Sequence, residues 1–180
     1  MRSRARFLPA ILIALAATFI WAQPHLVLFG KSYDVLAYAT NVSHGGLLSA
    51  TNTQRSAHGV GTLSLNGQLN SAAQAKAQDM VNRDYWSHKT PDGQQPWVFI
   101  TNTGYQYLSA GENLAYGFST SASTVTGWMN SPSHKANLLA TQFTEVGFGY
   151  ANSPNFVGNG QQTVVVAMYA KPQGAPAPTP

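Results

Sequence analysis

Three side chains of this sequence could together form a metal-binding or catalytic site: His88, His134 and Glu112. Neutral imidazole nitrogens suit zinc and other divalent transition metals, and two histidine ligands would leave coordination positions open. Glu112 could be a third ligand, or it could accept a ring N–H from one histidine and fix the tautomer of that ring. The sequence therefore predicts a candidate divalent-metal site, with zinc the favoured ion.

The spacing of the three residues does not by itself make a site. No two of them are four residues apart, as two histidines on one face of a metal-binding helix would be. The alternative is an exposed loop histidine at 88 and a helix-surface histidine at 134. Glu112 lies in the apolar stretch AGENLAYG (110–117), which predicts a turn, and its carboxylate could instead accept backbone N–H bonds there.

Other kinds of catalytic site are poorly represented in the sequence. The chain has no cysteine, which excludes disulfides, zinc ribbons and a thiol nucleophile. No G-x-S-x-G motif is present, so a serine nucleophile elbow is not expected. Glu145 precedes an alternating stretch and is predicted to be a structural carboxylate at the start of a strand.

The elements that must position these residues follow from the hydrophobic pattern. The segment 70–84 is the clearest helix, with Asn70 as its N-cap and Leu69, Ala73, Ala77 and Met80 as its apolar stripe. His88 falls in the loop that follows. Further helices are predicted at 47–59, 96–104, 124–130 and 131–139, and strands at 144–151 and 162–170. Helices precede strands, which predicts an α+β fold with helices covering an antiparallel sheet.

The two ends of the chain differ in composition from the middle. Three arginines precede an apolar run from Phe7 to Ala22, so residues 1–22 are predicted to be a cleaved signal peptide or an uncleaved signal anchor. Both alternatives predict a secreted or cell-envelope protein that touches the membrane only through this segment, if it is uncleaved. Residues 23–46 are predicted to be a connector, 47–171 the folded domain, and 172–180 a Pro/Ala-rich tail.

Charge argues against a nucleic-acid partner. Charged residues make up only 9% of the chain, and from Gln23 onward seven Lys and Arg face six Asp and Glu. The net charge of +4 therefore comes mainly from the first six residues, and no basic stripe with interleaved aromatics is present.

Six stretches, in order, resemble the CAP superfamily of cysteine-rich secretory proteins, antigen 5 and pathogenesis-related 1, and in particular its cysteine-free bacterial SCP-like branch. The resemblance spans Leu47 to Ala170. The stretches are NTQRSAHGV (52–60), LNSAAQAKAQDM (69–80), SHKTPDG (87–93), GYQYLSAGENLAYG (104–117), GWMNSPSHKANLL (127–139) and TEVGFGY (144–150). It implies a three-layer α–β–α sandwich with a central, mostly antiparallel sheet and a surface cleft.

The same resemblance implies that the cleft holds two histidines and two glutamates. The histidines correspond to His88 and His134, and the first glutamate to Glu112, which would lie beneath the cleft, turned toward a histidine. Where the second glutamate is expected, this chain has Ser131. Glu112, Asn113 and Ser131 would then stand behind the histidines, and Glu145 is a candidate to replace the missing carboxylate.

Three functions are open at this point. The resemblance favours a non-enzymatic binding module with a divalent metal in its cleft, whose partner is an envelope lipid, the cell wall, or a peptide or surface protein. A zinc-dependent, peptidase-like hydrolase with Glu112 as general base is the alternative. Only two histidine ligands are evident, whereas a catalytic zinc usually has three protein ligands. A structural envelope protein is the third reading.

Overall fold

A computed structural model describes residues 41–174, and the predicted N-terminal signal segment lies outside this range. The helices are α1 (His44–Ala57), α2 (Gly67–Asn82), α3 (Trp97–Thr101), α4 (Ser121–Met129) and α5 (Pro132–Leu138). The strands are β1 (Ser64–Leu65), β2 (Tyr107–Ala115), β3 (Glu145–Ser153) and β4 (Gln162–Pro172). No helix within residues 41–174 is long and apolar enough to cross a membrane.

The four strands form one sheet in the order β1-β3-β4-β2. β1 pairs with β3 in parallel, and the other two pairings are antiparallel. Side chains on alternating positions of β4 enter two different cores, because successive residues of a strand point to opposite faces. Val164, Val166, Met168 and Ala170 pack with residues of α2, and Val165, Ala167 and Tyr169 pack with residues of α1, α4 and α5. The predicted α–β–α sandwich with a mostly antiparallel sheet is thereby confirmed.

Helix α2 lies unusually close to β3. A Cβ atom at Gly147 or Gly149 would overlap the main chain of α2, which explains two glycines on the same face of a strand. Asn70 Oδ1 accepts a hydrogen bond from the backbone N–H of Phe148 at 2.9 Å. The predicted N-cap role of Asn70 is therefore wrong, because its side chain serves β3 and the helix begins one turn earlier.

The N-cap of α2 is Asn66. Its Oδ1 accepts from the backbone N–H groups of Gln68 and Leu69, at 2.9 and 3.2 Å. The helix thus starts directly after the short strand β1, whose pairing with β3 fixes the position of that start. Asn66 also donates to Glu145 Oε2 at 2.9 Å, which ties the cap to β3.

The stretch that contains Glu112 is a strand rather than the predicted turn. β2 runs through it, with Glu112 opposite Met168 of β4. Residues 111–115 are buried without interruption, so the strand shows no alternation of apolar and polar residues. Half-buried strands are recognised in a sequence by apolar residues at every second position. Because residues 111–115 are all buried, β2 lacks this pattern and was not predicted.

Helices α1 and α4 begin earlier than predicted because of their caps. α1 begins at His44, inside the predicted connector, where Ser43 Oγ accepts from the N–H of Gly46 at 3.1 Å. α4 begins at Ser121, where Thr120 and Ser123 form a capping box. At the other end, β4 runs to Pro172, the first residue of the predicted tail.

Candidate functional site

A cleft of about 290 Å³ lies over β2, at the edge of the sheet. It is bounded by the strand, by the loop between α2 and α3, by the start of α3, and by α5. Its lining residues are His88, Gln95, Pro96, Trp97, Ala110, Gly111, Glu112 and Asn137. Two of the three residues that the sequence singled out, His88 and Glu112, therefore face the same cavity.

His88 and Glu112 form a close pair in this cleft. His88 Nδ1 lies 2.5 Å from Glu112 Oε1, and the side chains are 57% and 1% exposed, respectively. An ionised carboxylate only accepts hydrogen bonds, so Nδ1 then carries the hydrogen and the lone pair resides on Nε2. The buried carboxylate thus orients an exposed ring and leaves its second nitrogen free to bind a metal or to accept from a ligand.

The surroundings of Glu112 both oppose and support its charge. Burial raises the pKa of Glu112, while the hydrogen bond from His88 and the positive charge of Lys76 act in the opposite direction. Its second oxygen, Oε2, is buried and has no hydrogen-bond partner among residues 41–174. Only Oε1 is therefore engaged, and it is engaged by His88.

His134 is half-buried on α5, one turn before the cleft residue Asn137, and is not itself among the residues that line the cleft. Burial lowers the pKa of His134, and the charge of His88, when that ring is protonated, lowers it further. Helix α5 meets β2 here, because Asn137, one turn after His134, lines the cleft and donates to the carbonyl of Glu112. The fold thus brings the second predicted histidine into the neighbourhood of the first, although they are separated by 46 positions and by several elements.

Two asparagines fix α5 against β2. The buried Asn113 donates from Nδ2 to the carbonyl of His134 at 3.0 Å. Asn137 donates from Nδ2 to the carbonyl of Glu112 and to Asn113 Oδ1, each at 3.0 Å. Asn113 therefore acts on the main chain of His134. Asn137 was not predicted, although it follows His134 by three residues and so lies on the same face of the helix.

The other two predicted neighbours of the histidines have different positions. Ser131 precedes α5 as its N-cap residue, but its side chain makes no capping hydrogen bond and lies 3.5 Å from Ser133 Oγ. Glu145 accepts from Tyr105 Oη at 2.6 Å, in addition to its bond from Asn66, at the start of β3. That position is two strands away from β2, so Glu145 does not replace the missing carboxylate.

The donor set of the cleft is small for a metal. No three His, Cys, Asp or Glu side chains in the described part of the chain lie where they could share one ion. Two imidazoles, one of them oriented by a buried carboxylate, fit an ion that takes its remaining ligands from water or from a bound molecule. The arrangement does not fit a closed, four-ligand structural zinc site.

Lys76 is a residue of the site that the sequence analysis missed. It is fully buried on α2 and contacts the loop that carries His88. The available signal was its position: Lys76 follows Ala73 by three residues and precedes Met80 by four, which places it on the apolar stripe of the helix. A lysine on such a stripe is rare, because its charge must be compensated when it is buried.

Comparison with known families fits this architecture. Residues 48–169 match the sequence profile of CAP, the cysteine-rich secretory protein family. The chain belongs to the CAP family. The family, which the six sequence stretches suggested, is thereby confirmed, and the profile covers almost the whole of the helices and strands described above.

Two relatives of this chain come from Bacillus subtilis. The chain is 36% identical over 107 residues to YkwD of Bacillus subtilis, covering 59% of this chain and 42% of YkwD. It is 26% identical over 142 residues to the Bacillus subtilis membrane protein YlbC, covering 74% of this chain and 41% of YlbC. Thus the chain spans about two fifths of the length of these relatives.

A solved CAP structure shows the same fold. The crystal structure of an extracellular SCP-domain protein from Bacillus anthracis superposes with a TM-score of 0.63 at 26% identity. The match covers 71% of this chain and 40% of that one. The three-layer architecture is therefore shared with an experimentally determined relative.

Proposed function

We propose that this chain is an exported CAP domain that binds rather than catalyses. In this proposal His88 and His134 hold a divalent metal ion, with zinc favoured, and Glu112 orients His88 from below. The adjoining cleft receives a ligand of the cell envelope. The candidates are a lipid, a cell-wall fragment, or a peptide of a surface protein.

The observation that carries this proposal is the pairing of a buried carboxylate with an exposed histidine. Burying Glu112 is costly, because burial disfavours its charged form. A purely structural carboxylate would be expected to bond to buried partners with both oxygens, as buried polar groups usually do. Glu112 instead uses one oxygen to hold a ring that is more than half exposed. Such an arrangement is typical of a histidine oriented to bind something.

The same geometry favours binding over metal-assisted hydrolysis. A general base must come within hydrogen-bond reach of the attacking water. Oε1 of Glu112 is already bonded to His88, and Oε2 is shielded from solvent. The candidate site also supplies two histidines, whereas a catalytic zinc usually has three protein ligands. A hydrolase would therefore need both a further ligand and a rearranged carboxylate.

Export is supported by independent observations. The basic N-terminal residues and the following apolar run are typical of a signal peptide or a signal anchor. The Bacillus anthracis protein with the same fold is described as extracellular, and YlbC as a membrane protein. The chemistry of the cleft suits the envelope, since Trp97 and Pro96 offer apolar contacts while the amide of Gln95 and the amide oxygen of Asn137 offer hydrogen bonds.

Zinc titration tests the metal part of the proposal. Isothermal calorimetry on the purified protein is expected to show about one zinc ion per chain. Both His88→Ala and His134→Ala should abolish that binding, because each removes one of only two protein ligands. His58→Ala is the matched control, since His58 is exposed and its ring, among residues 41–174, bonds to the carbonyl of Gln54 at 2.8 Å.

Two outcomes of this titration and one of an activity assay would contradict the proposal. Failure of the wild-type protein to bind zinc, cobalt or nickel would remove the metal from the account. Equal loss of binding in His58→Ala would show that the zinc resides outside the cleft. A zinc-dependent peptidase activity that His88→Ala abolishes would replace the binding function with the hydrolase.

The role of Glu112 gives a second, graded prediction. Glu112→Gln keeps the size of the side chain but removes the anionic acceptor of His88. We expect the zinc affinity to fall roughly 10–100-fold, the usual cost of changing the partner that orients a histidine ligand. Glu145→Gln removes a carboxylate bonded elsewhere and should leave the affinity unchanged. An unaltered affinity in Glu112→Gln would mean that the carboxylate has no part in metal binding.

A further inference from the structure

The buried lysine of α2 uses all of its hydrogen-bond donors on one segment of the chain. Lys76 Nζ donates to the carbonyls of Ser87 and His88, each at 2.9 Å, and to Tyr85 Oη at 3.1 Å. An ammonium group has three donors, so none is left for other partners. The three acceptors lie within four consecutive residues, 85–88, which lead from the end of α2 to the candidate metal ligand.

A charge at this place is not needed for packing. Lys76 has no exposed surface, and its Nζ also lies over the rings of Tyr85 and Phe99, at 4.8 and 5.7 Å from their centres. A methionine would fill similar space without the cost of burying a cation. The acidic groups whose charges act on Lys76 are Glu112 and Asp79, while Arg83 acts against them. The positive charge of Lys76 therefore stabilises its hydrogen bonds to the surrounding polar groups and is not there for packing.

Two of the acceptors flank the backbone of His88. The carbonyl of Ser87 belongs to the peptide unit before His88, and the carbonyl of His88 belongs to the unit after it. Holding both units to one ammonium group fixes the direction in which the His88 side chain leaves the main chain. Packing cannot do this, because the side chain is 57% exposed.

We propose that Lys76 is the positioning residue for His88. It anchors the loop from inside the α2 layer so that Nδ1 meets Glu112 across the top of β2. This proposal adds to the metal-binding function proposed above. It rests on that function, because metal binding is the purpose of holding His88 in this geometry. Lys76 itself touches neither the metal nor the ligand.

Asp79 orients the Tyr85 hydroxyl group, which in turn accepts a hydrogen bond from the Lys76 ammonium group. Tyr85 Oη donates to Asp79 Oδ2 at 2.5 Å, which directs a lone pair of the hydroxyl oxygen toward Lys76. Asp79 and Lys76 are three residues apart on α2, so one face of this helix provides both ends of the chain of bonds. Removing the Tyr85 hydroxyl should loosen Lys76 without removing its charge or its bonds to the carbonyls of Ser87 and His88.

The test compares the His88 ring in variants without and with metal. The variants are Lys76→Met, Tyr85→Phe and, as a control, Ala77→Gly, which weakens the same helix without touching the acceptors of Lys76. In metal-free wild-type protein, long-range ¹H–¹⁵N correlation spectra should show the His88 tautomer with the hydrogen on Nδ1. Lys76→Met should lose this signature and bind zinc at least 10-fold more weakly, with a smaller change in Tyr85→Phe and none in Ala77→Gly.

The outcomes separate this inference from the proposed function. If wild-type protein binds no zinc, the metal function fails, while the spectra still decide whether Lys76 positions the ring. If Lys76→Met does not fold, Tyr85→Phe decides in its place. A wild-type His88 signature in both variants would overturn the inference, and so would an equal loss in Ala77→Gly, which would show that the effect follows helix stability alone.

Discussion

Gly147→Ala is expected to destabilise the domain by about 3 kcal/mol or more, the upper range for overpacking in a core. The new Cβ would overlap main-chain atoms of Leu69 and Asn70, and backbone atoms cannot step aside as a flexible side chain can. The helix would have to move away from β3, which would also break the bond between Asn70 and the N–H of Phe148. Denaturant unfolding, followed by circular dichroism, measures the loss.

Gly61→Ala is the matched control for this change. Among the described residues, no atom other than those of its chain neighbours lies within 4 Å of a Cβ placed at Gly61, so its substitution should leave the free energy of unfolding nearly unchanged. Since whole domains have stabilities of only about 5–15 kcal/mol, the two variants should be easy to distinguish. Equal stability of Gly147→Ala and wild type would mean that α2 and β3 are further apart than described.

Arg55→Met is the second substitution with a large expected effect. Arg55 is 1% exposed, and its guanidinium donates to the carbonyls of Gly61, Leu138, Ala140 and Phe143 at 2.6–3.2 Å. The bonds to Leu138 and Phe143 are buried, and a buried polar group left without a partner costs about 1–3 kcal/mol. We therefore expect about 3 kcal/mol of lost stability, measured by the same unfolding experiment.

The consequences of Arg55→Met should extend to the cleft. Three of its four acceptors lie at the end of α5 and just beyond it, so Arg55 holds the helix that carries His134 and Asn137. Arg83→Met is the control, because Arg83 is a partly exposed residue with ion pairs to Asp79 and Asp92. Surface pairs of this kind contribute little, so this control should change stability only slightly. A loss in Arg83→Met as large as in Arg55→Met would contradict this account.

Local patterns predicted most of the helices, and the differences have identifiable causes. The apolar stripe of α2 was recognised, but its cap was placed at Asn70 instead of Asn66. Both asparagines are suitable caps, and only the neighbouring strand β3 decides which one is used for that purpose. Likewise, the capping box at Thr120 extends α4 toward the N-terminus past the point at which its apolar residues become evident.

The strands were predicted less completely because their burial depends on both outer layers. β3 shows alternation, and β4 is a long β-rich run, so both could be recognised. β2 has no period of two, since residues 111–115 are buried on both faces, and β1 has only two residues. The pairing of Ser64 and Leu65 with β3 is a long-range contact that no local pattern encodes.

The candidate site could be predicted in part for the same reason. Residue types, together with the resemblance to the CAP superfamily, pointed to His88, His134 and Glu112. Their distances depend on how the loops and α5 meet β2, which no local sequence pattern reveals. Lys76 and Asn137 were missed because each bonds to main-chain carbonyls. Every residue has a carbonyl, so the order of side chains in the sequence does not show which carbonyls they bond to.

The central claim is that His88 and His134 share one metal ion above Glu112. The most direct measurement is the anomalous difference density of a zinc-soaked crystal, recorded at the zinc absorption edge. The account predicts one principal peak between the two imidazoles, with Zn–N distances of about 2.0–2.1 Å and with His88 bonded through Nε2. A principal peak at His44 or His58, or a cleft without a peak at saturating zinc, would contradict it.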